Sequence, residues 1–167
     1  MEARKLLYLF PAILCLIMVF GFSSQPYNQQ SVIPFLQKHI TEYRLAEILP
    51  NIHFRYGHTE LWSKIAPYQF VEFVFRKCAH IFSYSALGCS LYYAFSAFGA
   101  AVWKPGLRII AMMLGLLAVA ALDEWNQIRV SMRTGQPIDV ALDVIGGTLG
   151  ALSALFVFGR VRARWRN

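Results

Sequence analysis

The sequence predicts an all-α fold: an integral-membrane four-helix bundle with an outer amphipathic helical loop. Three observations lead there. The chain is 57% hydrophobic and only 15% charged over 167 residues, against roughly a quarter charged in a typical soluble domain, so it cannot dress an ordinary aqueous surface. Its apolar residues gather into long runs separated by Pro, Gly and charged breakers, as membrane-crossing helices do. Its basic residues are distributed unequally between the ends of those runs, which gives the bundle a direction. The same composition excludes a disordered polyelectrolyte. Three cysteines, two of them inside apolar runs, exclude a secreted disulfide mini-protein.

The first run, Leu6 to Phe22, carries no charge and follows Arg4 and Lys5. It reads as a retained span, not a cleaved signal, because the rest of the chain is equally hydrophobic and Ser24 is a mediocre cleavage position. Cys78 to Trp103 contains no Asp, Glu, Lys or Arg. Its helix is expected from near Gln69 or Phe70, since Pro67 suits a helix start, to Phe98, ahead of Gly99 and Lys104-Pro105-Gly106. The third run, Ile109 to Leu122, reaches spanning length if Arg108 snorkels at one end and Asp123-Glu124 close the other. The fourth begins near Ile138, after the Gly135-Gln136-Pro137 turn, and ends at Gly159. Residues 1–167 thus form one domain, with spans at about 6–22, 70–98, 107–124 and 138–159 and an outer loop at 23–66.

Four spans put both termini on one side. Arg4, Lys5, Lys104, Arg108, Arg160, Arg162, Arg164 and Arg166 collect there, which assigns that side to the cytoplasm. Within the outer loop, Ser31 to Leu49 spaces Val32, Phe35, Leu36, Ile40, Tyr43 and Ile48 at helical intervals. This predicts an amphipathic helix, lying on the membrane face or capping the bundle.

Ionisable groups are expensive inside spans, so their placement is informative. Lys77 and His80 open the second span on its outer side, Asp123 and Glu124 end the third there, and Asp139 and Asp143 open the fourth. Helical spacing puts Lys77, His80 and Tyr84 on one face, Glu124 and Gln127 on another, and Asp139, Asp143, Gly146 and Gly150 on a third. Gly146 and Gly150 form a small-xxx-small surface for close helix approach. Glu72, Arg76 and Arg129 read as interfacial residues, although Arg129 and Arg133 lie where either could fold over the cluster.

The run Arg76-Lys77-Cys78-Ala79-His80-Ile81-Phe82-Ser83-Tyr84-Ser85-Ala86-Leu87-Gly88, then Asp123-Glu124-Trp125-Asn126-Gln127, Arg133, and Asp139 with Gly146 and Gly150, resembles the VanZ-like family of bacterial membrane proteins. The resemblance implies a four-helix protein of the cytoplasmic membrane. The family is named for a member of a glycopeptide-resistance cluster, so an influence on teicoplanin susceptibility is part of what it implies. Lys77, His80, Tyr84, Asp123, Glu124, Gln127, Arg133 and Asp139 stand at the family's motif positions. Asp143 stands where many members have Asn, which adds a negative charge.

As chemistry, Lys77 and Arg133 suit a phosphate or pyrophosphate. His80 suits proton transfer near neutral pH, with Glu124 orienting it or acting as base. The expected division is His80, Glu124 and Asp139 as catalytic groups, with Lys77, Tyr84, Asp123, Gln127, Arg133 and Asp143 binding substrate. Mg²⁺ is a candidate cofactor if oxygens of Asp123, Asp139 and Asp143 converge. The expected partner is a membrane lipid or lipid-linked envelope precursor with its head group outside. Catalysis on a phospho- or glycolipid head, non-catalytic binding of a lipid, precursor or antibiotic, and small proton-coupled transport all remain open at this point. The C-terminal Arg run abuts a span and reads as an interfacial anchor, so no nucleic-acid partner is expected.

Overall fold

Proline opens each of the three long helices, where its missing N–H costs nothing and its fixed φ suits the first turn. The computed structural model describes residues 6–99, 104–130 and 135–164; Arg4, Lys5, Arg133 and Arg166 lie outside them. In chain order the elements are α1 (Phe10–Ser23), the short helices α2 (Tyr27–Gln30), α3 (Ile33–His39) and α4 (Glu42–Ile48), strands β1 (His53–Tyr56) and β2 (Thr59–Trp62), then α5 (Pro67–Gly99), α6 (Pro105–Arg129) and α7 (Pro137–Arg164). The chain is mostly helical. Two helical segments, Gly106–Arg129 and Pro137–Val157, are long and apolar enough to cross a bilayer. Leu114, Leu117 and Leu122 on α6 and Ile145, Leu149 and Leu152 on α7 are exposed, so these helices present apolar side chains outward as well as inward. Helix α5, with 33 residues, is about 50 Å long at 1.5 Å per residue and is richer in Ser, Tyr and His.

Helix α5 packs most extensively on α7, and α1 and α6 complete the contact. Val19, Tyr84, Leu87, Leu116 and Ala120 form the buried cluster between them. The α5–α7 approach is set by glycine. A Cβ on Gly146 would stand 2.9 Å from the Ile81 carbonyl oxygen, and one on Gly150 would collide with the Ser85 carbonyl. Each glycine therefore removes the side chain that would hold the two backbones apart.

Three features depart from the sequence reading. The amphipathic segment is two helices, because Ile40 is extended (φ −145°, ψ 137°) and Thr41 starts a new helix by accepting the Arg44 N–H at 3.5 Å, a role Thr fills better than helix interior. The Tyr68 hydroxyl donates to the Ile40 carbonyl at 2.7 Å and holds the break. The fold is also not purely helical: β1 and β2 pair antiparallel, with Tyr56 opposite Thr59, across a turn in which Gly57 takes φ +57°. The His53 and Trp62 rings stack at its open end, 3.6 Å between centroids. Finally, α6 runs on to Arg129, beyond the expected span end at 124, in keeping with the shared helical face of Glu124 and Gln127.

Candidate polar site between the helices and the hairpin

Two helices, α6 and α7, bring buried acid to one end of the bundle. Asp123 and Asp143 are each 1% exposed, Glu124 5% and Asp139 7%. Charges so placed require partners, because removal from water costs several kcal/mol per ion. The partners divide the cluster into two halves.

In the half beneath the hairpin, Lys77 of α5 forms an ion pair with Asp139 of α7, and the Tyr56 hydroxyl donates to the same Asp139 oxygen at 2.7 Å. Asp139 stands in the first turn of α7, where the helix dipole also favours negative charge. The Lys77 ammonium lies 4.7 Å from the Tyr56 ring centroid and 5.3 Å from that of Phe73, so its charge is met by both a carboxylate and π faces. Burial, followed by the hydrogen bond and charge of Asp139, pushes the Tyr56 phenol well above its ordinary value. Glu124 accepts the backbone N–H of Gln136. The Gln136 side chain in turn donates to Thr59 Oγ1 at 3.2 Å and accepts the His58 N–H at 3.2 Å. The hairpin is thus fastened to the α6–α7 connection.

In the other half, His80 Nδ1 lies 3.2 Å from Asp143 Oδ1. The Tyr84 hydroxyl and the Gln127 side-chain N–H both donate to Asp123 Oδ2, each at 3.1 Å. Asp123 Oδ1, Asp143 Oδ2 and Glu124 Oε2 are buried without a hydrogen-bond partner. A cavity of about 380 Å³ reaches this half from between α1, α2 and α5. Exposed Phe22 and Phe75 form apolar walls, Gln25, Gln29 and Arg76 line it nearer solvent, and His80 with the buried pair Tyr84 and Asp123 stands at its inner end.

The sequence-derived residues therefore fall into contacts: Lys77 with Asp139, His80 with Asp143, and Tyr84 and Gln127 with Asp123. Glu124 faces Gln136. Arg133 lies outside the described residues, and the Arg129 guanidinium stands 5.1 Å from the Trp125 ring centroid. The expected trio of metal oxygens is not the one that forms, because Asp139 is taken by Lys77 and Tyr56. Instead His80, Asp123 and Asp143 each offer one ligand atom, all within 4.8 Å of one another, an arrangement capable in principle of holding a metal ion.

Sequence reasoning missed Tyr56 and Gln136, and treated Glu72 and Arg76 as interfacial. Glu72 is 2% exposed and accepts from Ser31 Oγ at 2.5 Å, while the Arg76 guanidinium stands 5.1 Å from the Tyr27 ring centroid. Burial, then the hydrogen bond and charge of Glu72, push the Tyr27 phenol up to about 12, against the opposing charge of Arg76. The available signal was the alternation of aromatic and polar residues either side of Gly57, the mark of a short hairpin.

Residues 8–158 match the pattern that defines the VanZ/LLP1 family. The chain belongs to that family. No curated protein and no solved structure matches it. The VanZ/LLP1 match takes in both halves of the polar site, the hairpin and the cavity, so the geometry above lies entirely inside the family region.

Proposed function

We propose that this VanZ-like protein is a four-span protein of the bacterial cytoplasmic membrane, with both termini cytoplasmic, that receives the polar head of an envelope phospho- or glycolipid in the cavity between α1, α2 and α5. The observation that carries the reading is the lining of that cavity. Its walls are apolar at Phe22 and Phe75, its rim is polar and cationic at Gln25, Gln29 and Arg76, and its inner end holds His80, Tyr84 and Asp123. An amphiphile matches that gradient, with the head group against the ionisable end and acyl carbons against the phenylalanines. The two apolar helices and the family membership support a membrane and envelope setting.

Head-group binding is the reading the geometry supports best. Chemistry on the bound head would fall first to His80, which lines the cavity, whereas Glu124 and Asp139 stand outside its lining. The test is lipid mass spectrometry beside a vesicle-binding assay, using purified protein and native envelope lipids. Specific lipid retention lost in Arg76→Ala supports binding; retention equal to that of empty detergent micelles refutes it. Conversion that stops in His80→Ala and Glu124→Gln identifies a lipid-modifying enzyme, and retention without product identifies a binding protein. Topology is read by cysteine accessibility in spheroplasts with native cysteines removed: Ser24→Cys labels from outside, and outside labelling of Asn167→Cys overturns the orientation. Teicoplanin susceptibility of a host expressing the chain is the cellular readout.

A further inference from the structure

Among the described residues, the ion pairs of the cluster are Lys77 with Asp139 and His80 with Asp143, and Asp123 has none. Hydrogen bonds account for one oxygen of each aspartate: Asp123 Oδ2 is taken twice, by Tyr84 and Gln127, and Asp143 Oδ1 once, by His80. Asp123 Oδ1 and Asp143 Oδ2 remain buried and unpartnered on side chains that are 1% exposed. Such oxygens lose water without replacing it, a cost that is greater for a charged group than for a neutral one.

We infer that His80, Asp123 and Asp143 form a divalent transition-metal site at the inner end of the cavity, selective for ions such as Mn²⁺, Co²⁺ or Zn²⁺ over Mg²⁺. The dimensions fit. Metal–ligand bonds of about 2.1 Å meeting at about 90–110° set neighbouring donors about 3.0–3.4 Å apart, and His80 Nδ1 stands 3.2 Å from Asp143 Oδ1. The three donor atoms lie within 4.8 Å of one another, so a pair at that limit closes by at least about half an ångström, a side-chain adjustment, when an ion with bonds of about 2.1 Å is held. The charges fit as well: a divalent ion with a neutral imidazole cancels both aspartates. The donor set selects the metal, since imidazole nitrogen favours first-row transition ions and zinc, while Mg²⁺ prefers oxygen and retains its water. Tyr84 and Gln127 orient Asp123 from behind, the supporting layer that a metal-binding carboxylate requires. His80 and Asp123 line the cavity, so an ion between them is reachable by whatever occupies it. The site stands whether or not that occupant is a lipid.

The experiment uses the full chain in detergent, stripped by chelator and titrated with each metal alone. One saturable Mn²⁺ or Co²⁺ per chain is expected, bound at least about tenfold tighter than Mg²⁺. Gln127→Leu should weaken it by about tenfold, the lower end of the scale for a supporting partner, and Asp123→Asn and Asp143→Asn, which remove a charged ligand, by about a hundredfold or more. Glu72→Gln, which alters a buried carboxylate elsewhere in the bundle, should change nothing. Pulsed electron paramagnetic resonance of Cu²⁺-loaded wild-type protein should show a coordinated imidazole nitrogen, a readout that needs no variant to fold. Absence of a stoichiometric ion, Mg²⁺ binding as tight as Mn²⁺, equal loss in Glu72→Gln, or a nitrogen-free Cu²⁺ spectrum would each overturn the assignment. Lipid retention is measured separately, so failure of the metal site and failure of the head-group reading are distinct results.

Discussion

Replacing Lys77 with Met removes the ammonium while keeping an unbranched apolar stem against Tyr56 and Phe73. Asp139 is left with the Tyr56 hydroxyl as its remaining side-chain partner. Breaking a fully buried pair costs about 3–5 kcal/mol, whereas an exposed pair is worth under about 1 kcal/mol. The Lys77 and Asp139 side chains are 20% and 11% exposed, nearer the buried limit, and Tyr56 still stabilises the carboxylate. The expected loss is therefore about 2–3 kcal/mol, equivalent to roughly 5–10 °C in Tm for a chain of this length. Asp139→Asn keeps the shape and leaves the Lys77 ammonium over two aromatic faces, so its loss should be smaller, about 1–2 kcal/mol. The double variant should recover about 1.5 kcal/mol relative to the sum of the singles, because neither charge is then orphaned. Reversible unfolding in mixed detergent micelles, followed by helical circular dichroism, measures all four corners of the cycle. Strict additivity, or a Lys77→Met protein within about 0.5 kcal/mol of wild type, would refute the view that this pair holds the α5–α7 end together.

Gly150→Leu drives a side chain into the Ser85 carbonyl and should destabilise by about 3 kcal/mol. Gly115→Ala, with nothing within 4 Å, should stabilise by about 0.5–1 kcal/mol in the same unfolding assay. Tyr56→Phe deletes the 2.7 Å hydrogen bond to a charged acceptor and should cost about 1.5–3 kcal/mol, read as faster amide exchange in the hairpin. Tyr27, raised from 10 to about 12, is favoured neutral in the folded chain. Its contribution should be complete below pH 10 and lost as pH rises toward 12, and the phenolate absorbance of wild type minus Tyr27→Phe measures that titration.

What the sequence made legible was whatever a single element encodes by itself. Pro67 marks a helix start, and Pro105 and Pro137 mark the breaks between spans, because proline acts locally. Lys77, His80 and Tyr84 share a face because helical periodicity requires it. Gly146 and Gly150 announce a close approach because few other pressures place two glycines one turn apart in an apolar helix. The elements that escaped depend on distant partners. The alternation either side of Gly57 spans only four residues on each arm, a weak signal inside a polar loop, and β1 and β2 are secured by Gln136, 77 residues beyond Thr59. The break at Ile40 is held by Tyr68. Within the site, the residues were identifiable but their pairing was not. Helix phase fixes which residues face inward, but the relative heights of α5 and α7 decide that Asp139 meets Lys77 and Asp143 meets His80.

The hairpin fastened by Tyr56, His58 and Thr59 lies over the Lys77–Asp139 half, while the cavity opens on the flank where Phe22 and Phe75 are exposed. The hairpin roofs the neighbouring half, and the flank of the cavity is greasy. For a chain embedded as proposed, a guest would arrive by diffusing within the leaflet, in two dimensions, and never cross bulk water. Occupancy would then follow the guest's mole fraction among neighbouring lipids and not its aqueous concentration. A water-soluble head-group fragment would compete poorly however well it matched His80 and Asp123, and the length and saturation of the tails would govern selectivity as much as the head.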